Sequence, residues 1–211
     1  MSQHRIKKRD LDIFLQQIPG FKEPNAAFEQ YITPAVIASD LLFYALKQGD
    51  IFDKTIVDLG CGTGIFAIGA KWLKAANVIG IDIDESALTQ AKHFAKQHDL
   101  LIHFEQTDIS QCTHTADTVL MNPPFGAQKA NRHADRAFLE KAVAIAPVIY
   151  TIHLTSTLPF IRKLVTVLKG TITDEKMYTF PLKASLPFHT KLVDHVTVSV
   201  LRIVHTTDAL E

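Results

Sequence analysis

The sequence predicts an α/β fold: a doubly wound, seven-stranded and mostly parallel sheet that ends in an antiparallel hairpin. Three observations carry this expectation. Apolar runs of strand length alternate with helix-period segments from Thr55 onward. A glycine-rich turn, Gly60-Cys61-Gly62-Thr63-Gly64, follows the first run and opens a helical segment. The second run, Asn77-Val78-Ile79-Gly80-Ile81-Asp82, ends in an acid.

In chain order, two helical segments come first. One, about 7–17, sets Leu11, Phe14, Leu15 and Ile18 at helical spacing. The other, about 34–47, has Pro34 near its first turn, where a missing N–H costs nothing, and an apolar face of Ile37, Leu41, Leu42 and Ala45. Residues 1–50 thus read as a helical extension packed on a domain of residues 51–211, one structural domain overall. Strands are expected at 55–59, 77–82, 101–106, 117–121, 147–153, 171–180 and 193–204, and helices at 63–75, 85–98, 135–146 and 157–168. A polar, proline-containing stretch without helical period joins the last two strands, so they should pair antiparallel at one edge. The alternation in Val196-Thr197-Val198-Ser199-Val200-Leu201 suits a strand with one face more polar than the other.

Composition narrows the class. At 47% apolar residues the chain can build a full core. No run of about 18 apolar residues occurs, so no membrane span is expected. The basic start, Arg5 to Arg9, has no apolar stretch behind it and is not a secretory signal. Two cysteines, one inside the glycine turn, make a disulfide framework unlike this chain and suit the reducing cytosol. Basic and acidic residues balance at 22 each, which counts against an autonomous nucleic-acid-binding domain. Basic residues do collect at Arg5 to Arg9, Lys129 to Arg136 and Lys183 to Lys191. These clusters are either a solvated surface or a phosphate-contacting rim.

The chemistry-bearing motif is Asn122-Pro123-Pro124-Phe125, directly after the apolar run Thr118-Val119-Leu120-Met121. Each proline fixes its own φ, removes an N–H and restricts the residue before it, giving a stiff platform at a strand's end. The Asn122 carboxamide and the Pro123 carbonyl are then two acceptors aimed at one point, with the Phe125 ring beside them. That arrangement suits a planar amino group. Upstream, glycines let backbone approach a ligand, and the helix beyond them presents free N–H groups. Asp82 follows Gly64 by 18 residues, close to the roughly 20 of a ribose-gripping carboxylate in dinucleotide folds. No His, Cys or acid cluster shows metal-ligand spacing, and Cys61 and Cys112 are not a zinc pair.

On these residues the chain resembles the Rossmann-like class I S-adenosylmethionine (SAM) methyltransferases that act on amino groups. Further segments narrow the resemblance to the methyltransferase-like protein five family. They are Gln16-Gln17-Ile18-Pro19-Gly20-Phe21, Glu29-Gln30-Tyr31-Ile32-Thr33-Pro34, Gly80-Ile81-Asp82-Ile83-Asp84 and Met121-Asn122-Pro123-Pro124-Phe125-Gly126, then Ala137-Phe138-Leu139, Tyr150-Thr151-Ile152-His153 and Leu186-Pro187-Phe188-His189. The similarity runs from about Arg5 to Val204. It implies N6-methylation of an adenosine in small-subunit ribosomal RNA, SAM as cofactor, RNA as partner, and the small zinc-binding activator protein that eukaryotic members use.

The resemblance also implies roles. Asn122 and the Pro123 carbonyl would accept from the target amine, drawing its nitrogen toward a tetrahedral form, while Pro124 and Phe125 would hold the base, with Phe125 stacked on it. Stacking of this kind contributes roughly 1–3 kcal/mol per base. Asp58 would orient the glycine loop and reach the methionine amino group, directly or through water. Gly60, Cys61, Gly62 and Gly64 would allow close approach. Asp82 would accept from ribose hydroxyls, Ile83 would lie against the cofactor adenine and Asp108 would contact its amino group, unless it is an ordinary turn residue. Asp84 is better placed than Asp82 to cap the following helix. Tyr31 and Thr33 would cover the methionine end, Thr33 also capping a helix ahead of Pro34. Lys129 and Arg132 would contact the RNA backbone. His153 and His189 are substrate-side candidates, although a satisfied core histidine is the plainer reading of His153. No general base is nominated, because a neutral amine can attack first and lose its proton afterwards.

Two competing readings stand beside this one. The chain could methylate another amine, such as guanine N2, cytosine N4 or a glutamine side chain. It could instead be a non-catalytic SAM-binding scaffold in ribosome assembly.

Overall fold

The fold comes from a computed structural model that describes residues 6–22, 24, 25, 28–126, 134–183 and 193–205. Its elements are α1 (Lys8–Leu15), α2 (Ala35–Lys47), β1 (Thr55–Leu59), α3 (Ile65–Trp72), β2 (Asn77–Asp82), α4 (Glu85–Gln97), β3 (His103–Gln106), β4 (Thr118–Met121), α5 (Ala134–Ile145), β5 (Val148–Leu154), α6 (Leu158–Val167), β6 (Gly170–Lys183) and β7 (Val193–His205). The strands form one sheet in the order β3-β2-β1-β4-β5-β7-β6. All neighbours pair parallel except β7, which runs antiparallel to both β5 and β6.

This order explains the sequence patterns. β1 and β4 lie mid-sheet with helices on both faces, so they read as unbroken apolar runs rather than alternating ones. One core packs α1, α2, α3 and α4 against residues such as Ile56, Leu120 and Ile152. The other packs α5 and α6 against Val57, Val119 and Ile149. Leu11, Leu15, Ile37 and Leu41 of the N-terminal helices belong to the first core. Pro181 falls in β6, an outer strand, where a missing ladder N–H is tolerated.

Several expected boundaries shift for local reasons. The helix expected at 63–75 begins only at Ile65, because Gly64 adopts φ 88° as its N-cap. Two short 3₁₀ turns, Ile109–Gln111 and Thr155–Thr157, carry no periodicity and were not anticipated. The polar face expected in β7 is covered only in part: Thr197 is exposed, but Ser199 is fully buried and its hydroxyl lies 3.2 Å from that of Thr155. Thr33 does not cap α2. Pro34 is the N-cap, without a side-chain cap bond, and the Thr33 hydroxyl turns to Asn122 instead.

Register places the functional residues on one rim. Leu59 pairs with Ile81 on one side and Met121 on the other. The next residues in each strand, Gly60, Asp82 and Asn122, therefore emerge together at the carboxyl ends. From β1 the chain winds outward through β2 and β3, then returns to β4 on β1's other side. The crevice between β1 and β4 is the topological switch point, where open α/β sheets bind ligands.

Candidate active site

Two adjoining cavities of about 300 Å³ and 260 Å³ open over this rim and share Phe21, Tyr31, Gly60, Gly62 and Asn122 as walls. The larger is lined by Asp82, Ile83, Asp108, Pro123, Pro124 and Phe125 among others. The smaller takes in Thr33, Cys61 and Thr63. The fold therefore gathers most of the residues singled out in the sequence at one place.

The glycine turn is held from β2. Asp82 accepts from the Gly62 N–H at 2.7 Å and from the Asp84 N–H at 2.9 Å. Burial pushes its carboxyl above the usual carboxylate range, against these bonds. Asp84 caps α4, accepting from the N–H groups of Ser86 and Ala87. Gly62 lies at φ 53°, and a Cβ there would sit 2.9 Å from the Phe21 ring, so close packing over the loop requires glycine.

Asp58 departs from expectation. It lines neither cavity and does not bond the glycine loop; Asp82 does that. Asp58 is 1% exposed and accepts from the Ala67 N–H of α3 at 2.8 Å. Its other oxygen, Oδ1, is buried without a partner among the described residues. Desolvation, reinforced by the charge of Asp82, raises its pKa to about 8. Gly64 also lines neither cavity; a Cβ there would meet Ala91 and Ile68 at 3.1 Å, so it serves helix packing. The Cys61 thiol is 6% exposed, faces the smaller cavity and is kept protonated by burial.

Asn122 is oriented by one bond. Its Nδ2 donates to the Thr33 hydroxyl at 3.0 Å. Its Oδ1 is buried and has no partner among the described residues. A buried acceptor without a donor costs free energy until a ligand satisfies it. The motif is less exposed than the sequence suggested, because Pro123 is buried and Phe125 is 8% exposed. The Phe125 ring stacks on Tyr31 at 5.9 Å and 19°, and meets Phe180 of β6 edge-on at 5.6 Å. It is thus not an open platform: apolar rings pair with each other rather than face water.

Asp108 is a turn residue that also stands in the cavity wall. It caps the Ile109–Gln111 turn by accepting from the Ser110 N–H; the Ser110 hydroxyl and then this N–H lower its pKa, and it lines the larger cavity. Ile83 is half-exposed in the same wall. His153 lies elsewhere. It is fully buried beneath α5, its Nδ1 2.6 Å from Asp135 and its Nε2 2.9 Å from the Thr151 hydroxyl, a satisfied core histidine. Lys129, Arg132 and His189 fall outside the described residues.

Some wall residues stood in the segments that carry the resemblance but were given no role there. Gln30 bonds Asp84 through Nε2 and accepts from the Asn25 N–H. Glu29, at φ 49° and 6% exposed, and Phe21 and Phe138 also line the cleft. All but Phe138 stand on the irregular segment before α2, where no periodicity marks which side chains turn inward. Among the described residues, the wall of the larger cavity carries Glu29, Asp82 and Asp108 and no lysine or arginine. A cleft of carboxylates with a buried free acceptor fits a cationic sulfonium cofactor. SAM, when bound, would supply an electrophilic methyl group; Asp82, Ile83 and Asp108 would hold its nucleoside, and Tyr31, Thr33 and the glycine turn its methionine end.

Comparison with known proteins agrees. The family model described as "Methyltransferase small domain" matches residues 35–146. The rRNA N(6)-adenosine-methyltransferase METTL5 of Danio rerio is 36% identical over 208 residues, 95% of this chain and all of that protein. The Drosophila melanogaster Mettl5 protein of the same description is 34% identical, covering 94% of this chain and 96% of its own. The crystal structure of PH1948 from Pyrococcus horikoshii superposes with a TM-score of 0.89 at 35% identity, over 96% of this chain and 100% of that one. Cofactor-bound magnesium protoporphyrin IX methyltransferase from Synechocystis, at 17% identity and a TM-score of 0.66, shares the fold. The chain is a SAM-dependent methyltransferase that belongs to the methyltransferase small domain family and, within it, to the METTL5 family.

Proposed function

We propose that this enzyme methylates the N6 amino group of an adenosine in small-subunit ribosomal RNA, in the cytosol. The observation that carries this reading is the Asn122 carboxamide. Thr33 occupies its N–H side, which leaves Oδ1 as a buried acceptor at the switch point. With the Pro123 carbonyl, it offers two acceptors to the two N6 protons. An adenine N6 lone pair is delocalised into the ring and attacks poorly. Acceptors on both protons draw the nitrogen toward a tetrahedral form and stabilise the positive charge that develops on it. The proton leaves afterwards, so no buried base is needed. Fixing amine, methyl and sulfur in line contributes several kcal/mol more. Phe125 stacks on the target base once Tyr31 yields its place, and Pro124 closes the slot. The two animal relatives, both described as rRNA N(6)-adenosine-methyltransferases, support this substrate alongside the geometry.

The reading includes a small zinc-binding activator protein. Among the described residues, strand β3 pairs only with β2, so its outer edge can accept a further strand, and Leu101 beside it is 85% exposed. Lys129 and Arg132 would reach the RNA backbone.

The test is mass mapping of methylated nucleosides after incubating the protein with labelled SAM and unmodified ribosomal RNA, alone and with such an activator. Label should appear as N6-methyladenosine, and Asn122→Ala should abolish turnover while SAM still binds. Label in guanine, cytosine or a protein glutamine instead, or full turnover by Asn122→Ala, would overturn the assignment.

A further inference from the structure

We propose that His103, Glu105 and His114 form a binding site for a divalent first-row transition metal, which fastens the segment after β3 to that edge strand. His103 and Glu105 are two apart in β3, so their side chains leave the same face of the sheet, while Phe104 between them enters the core. The chain then turns through Thr107 to Cys112 and brings His114 back over that face. The His114 Nε2 lies 2.8 Å from Glu105 Oε2, and the His103 Nε2 lies 3.9 Å from the same oxygen. One donor atom from each of the three residues lies within 4.8 Å of the other two.

These separations are close to what an ion requires. Metal bonds of about 2.0–2.1 Å in a tetrahedral arrangement place donor atoms about 3.3 Å apart. The two distances to Glu105 bracket that value. The His103 side chain is 65% exposed and free to rotate, so the remaining gap closes without moving backbone. Two imidazoles and one carboxylate suit zinc, copper, nickel or cobalt, whereas magnesium and calcium favour all-oxygen sets. Cys112, on the same segment, is buried at 4% exposed. The metal-ligand spacing was invisible in the sequence because the third donor arrives nine residues after Glu105, across an irregular turn.

The position gives the site a consequence. Lys141 of α5 already donates to the carbonyls of Ser110 and Cys112, both at 2.9 Å, holding this segment from one side. The ion would hold it from the other. Asp108 and Ile109 stand on the same segment and line the larger cavity. Metal binding would therefore stiffen a wall of the cofactor cleft.

The experiment is calorimetric titration of zinc chloride into the whole chain, with cobalt absorption spectra as a second readout. Wild type should take up one equivalent saturably through this cluster. His103→Ala, Glu105→Gln and His114→Ala should each weaken that uptake by more than about tenfold, since even outer-shell changes cost roughly 10–100-fold. Zinc should raise the melting temperature of wild type more than that of these variants. His93→Ala, an exposed histidine on α4, should bind as wild type does. Circular dichroism and SAM binding of each variant without metal confirm that it is folded. Absence of saturable uptake up to millimolar zinc, or wild-type affinity in a folded triple variant, would overturn the site.

Discussion

Asn122 owes its orientation to a residue 89 positions away. The sequence marks Asn122 plainly, because two prolines behind a buried strand leave few other readings. It does not mark the Thr33 bond, since the side chain was as well suited to capping α2 and only the fold decides between the two. Thr33→Val keeps the shape and removes the acceptor, so the carboxamide can flip and present Nδ2 to the amine. Losing one hydrogen bond of about 0.5–1.5 kcal/mol should lower kcat by roughly three- to tenfold. KM for RNA should barely change, and Thr33→Ser should restore the rate; steady-state kinetics on all three decide. Asp58 makes a second residue-scale case. Its pKa is about 8 in the folded chain, against an ordinary 3.8. Between those values the unfolded chain has released a proton that the native state keeps. The contribution to stability is therefore full below pH 4 and lost as pH rises toward 8. Urea midpoints of the cofactor-free protein should fall from pH 5 to pH 8, and Asp58→Asn should flatten that slope.

Among the elements, the core helices and all seven strands were legible, each end within about three residues, because apolar pattern and run length point the same way in each. What escaped was held by long-range contacts. The β6–β7 hairpin reads from sequence as two strands, but not as a wall of the site. Phe180 of β6 is fully buried against Phe125 and so backs the substrate slot. The hairpin is itself pinned by a polar cluster. The Arg202 Nε of β7 donates to Asp50 at 2.9 Å, and the Tyr150 hydroxyl of β5 donates to the same carboxylate at 2.6 Å. The ion pair is 16% and 11% exposed. Breaking one partner of a buried pair strands the other, at roughly 3–5 kcal/mol. Asp50→Asn should destabilise at the lower end of that range, because the carboxamide keeps the shape and one acceptor. Equilibrium urea unfolding measures it, with SAM affinity unchanged in the folded variant.

At the scale of the whole molecule, the site exists only where separate stretches of chain converge. Gly60, Asp82 and Asn122 end three different strands, and Tyr31 and Thr33 close over them from the segment ahead of α2. The sequence carried the strand ends in their right order. It could not give the depth of the cleft, which depends on how the N-terminal segment lies across the rim. A ligand in that cleft bridges parts of the chain that separate on unfolding, so its binding energy adds to the folded state alone. At a hundred times its dissociation constant, SAM should contribute about 2.7 kcal/mol. For a domain of this size each kcal/mol moves the melting temperature by about 2–4 °C, so the shift should be about 5–10 °C. Asp82→Ala frees the Gly62 N–H and removes a wall carboxylate together, and should cancel most of that shift. Differential scanning calorimetry of both proteins with and without SAM checks it. An equal shift in the variant would mean that the cofactor binds away from the switch point, and the placement of the cleft would fall with it.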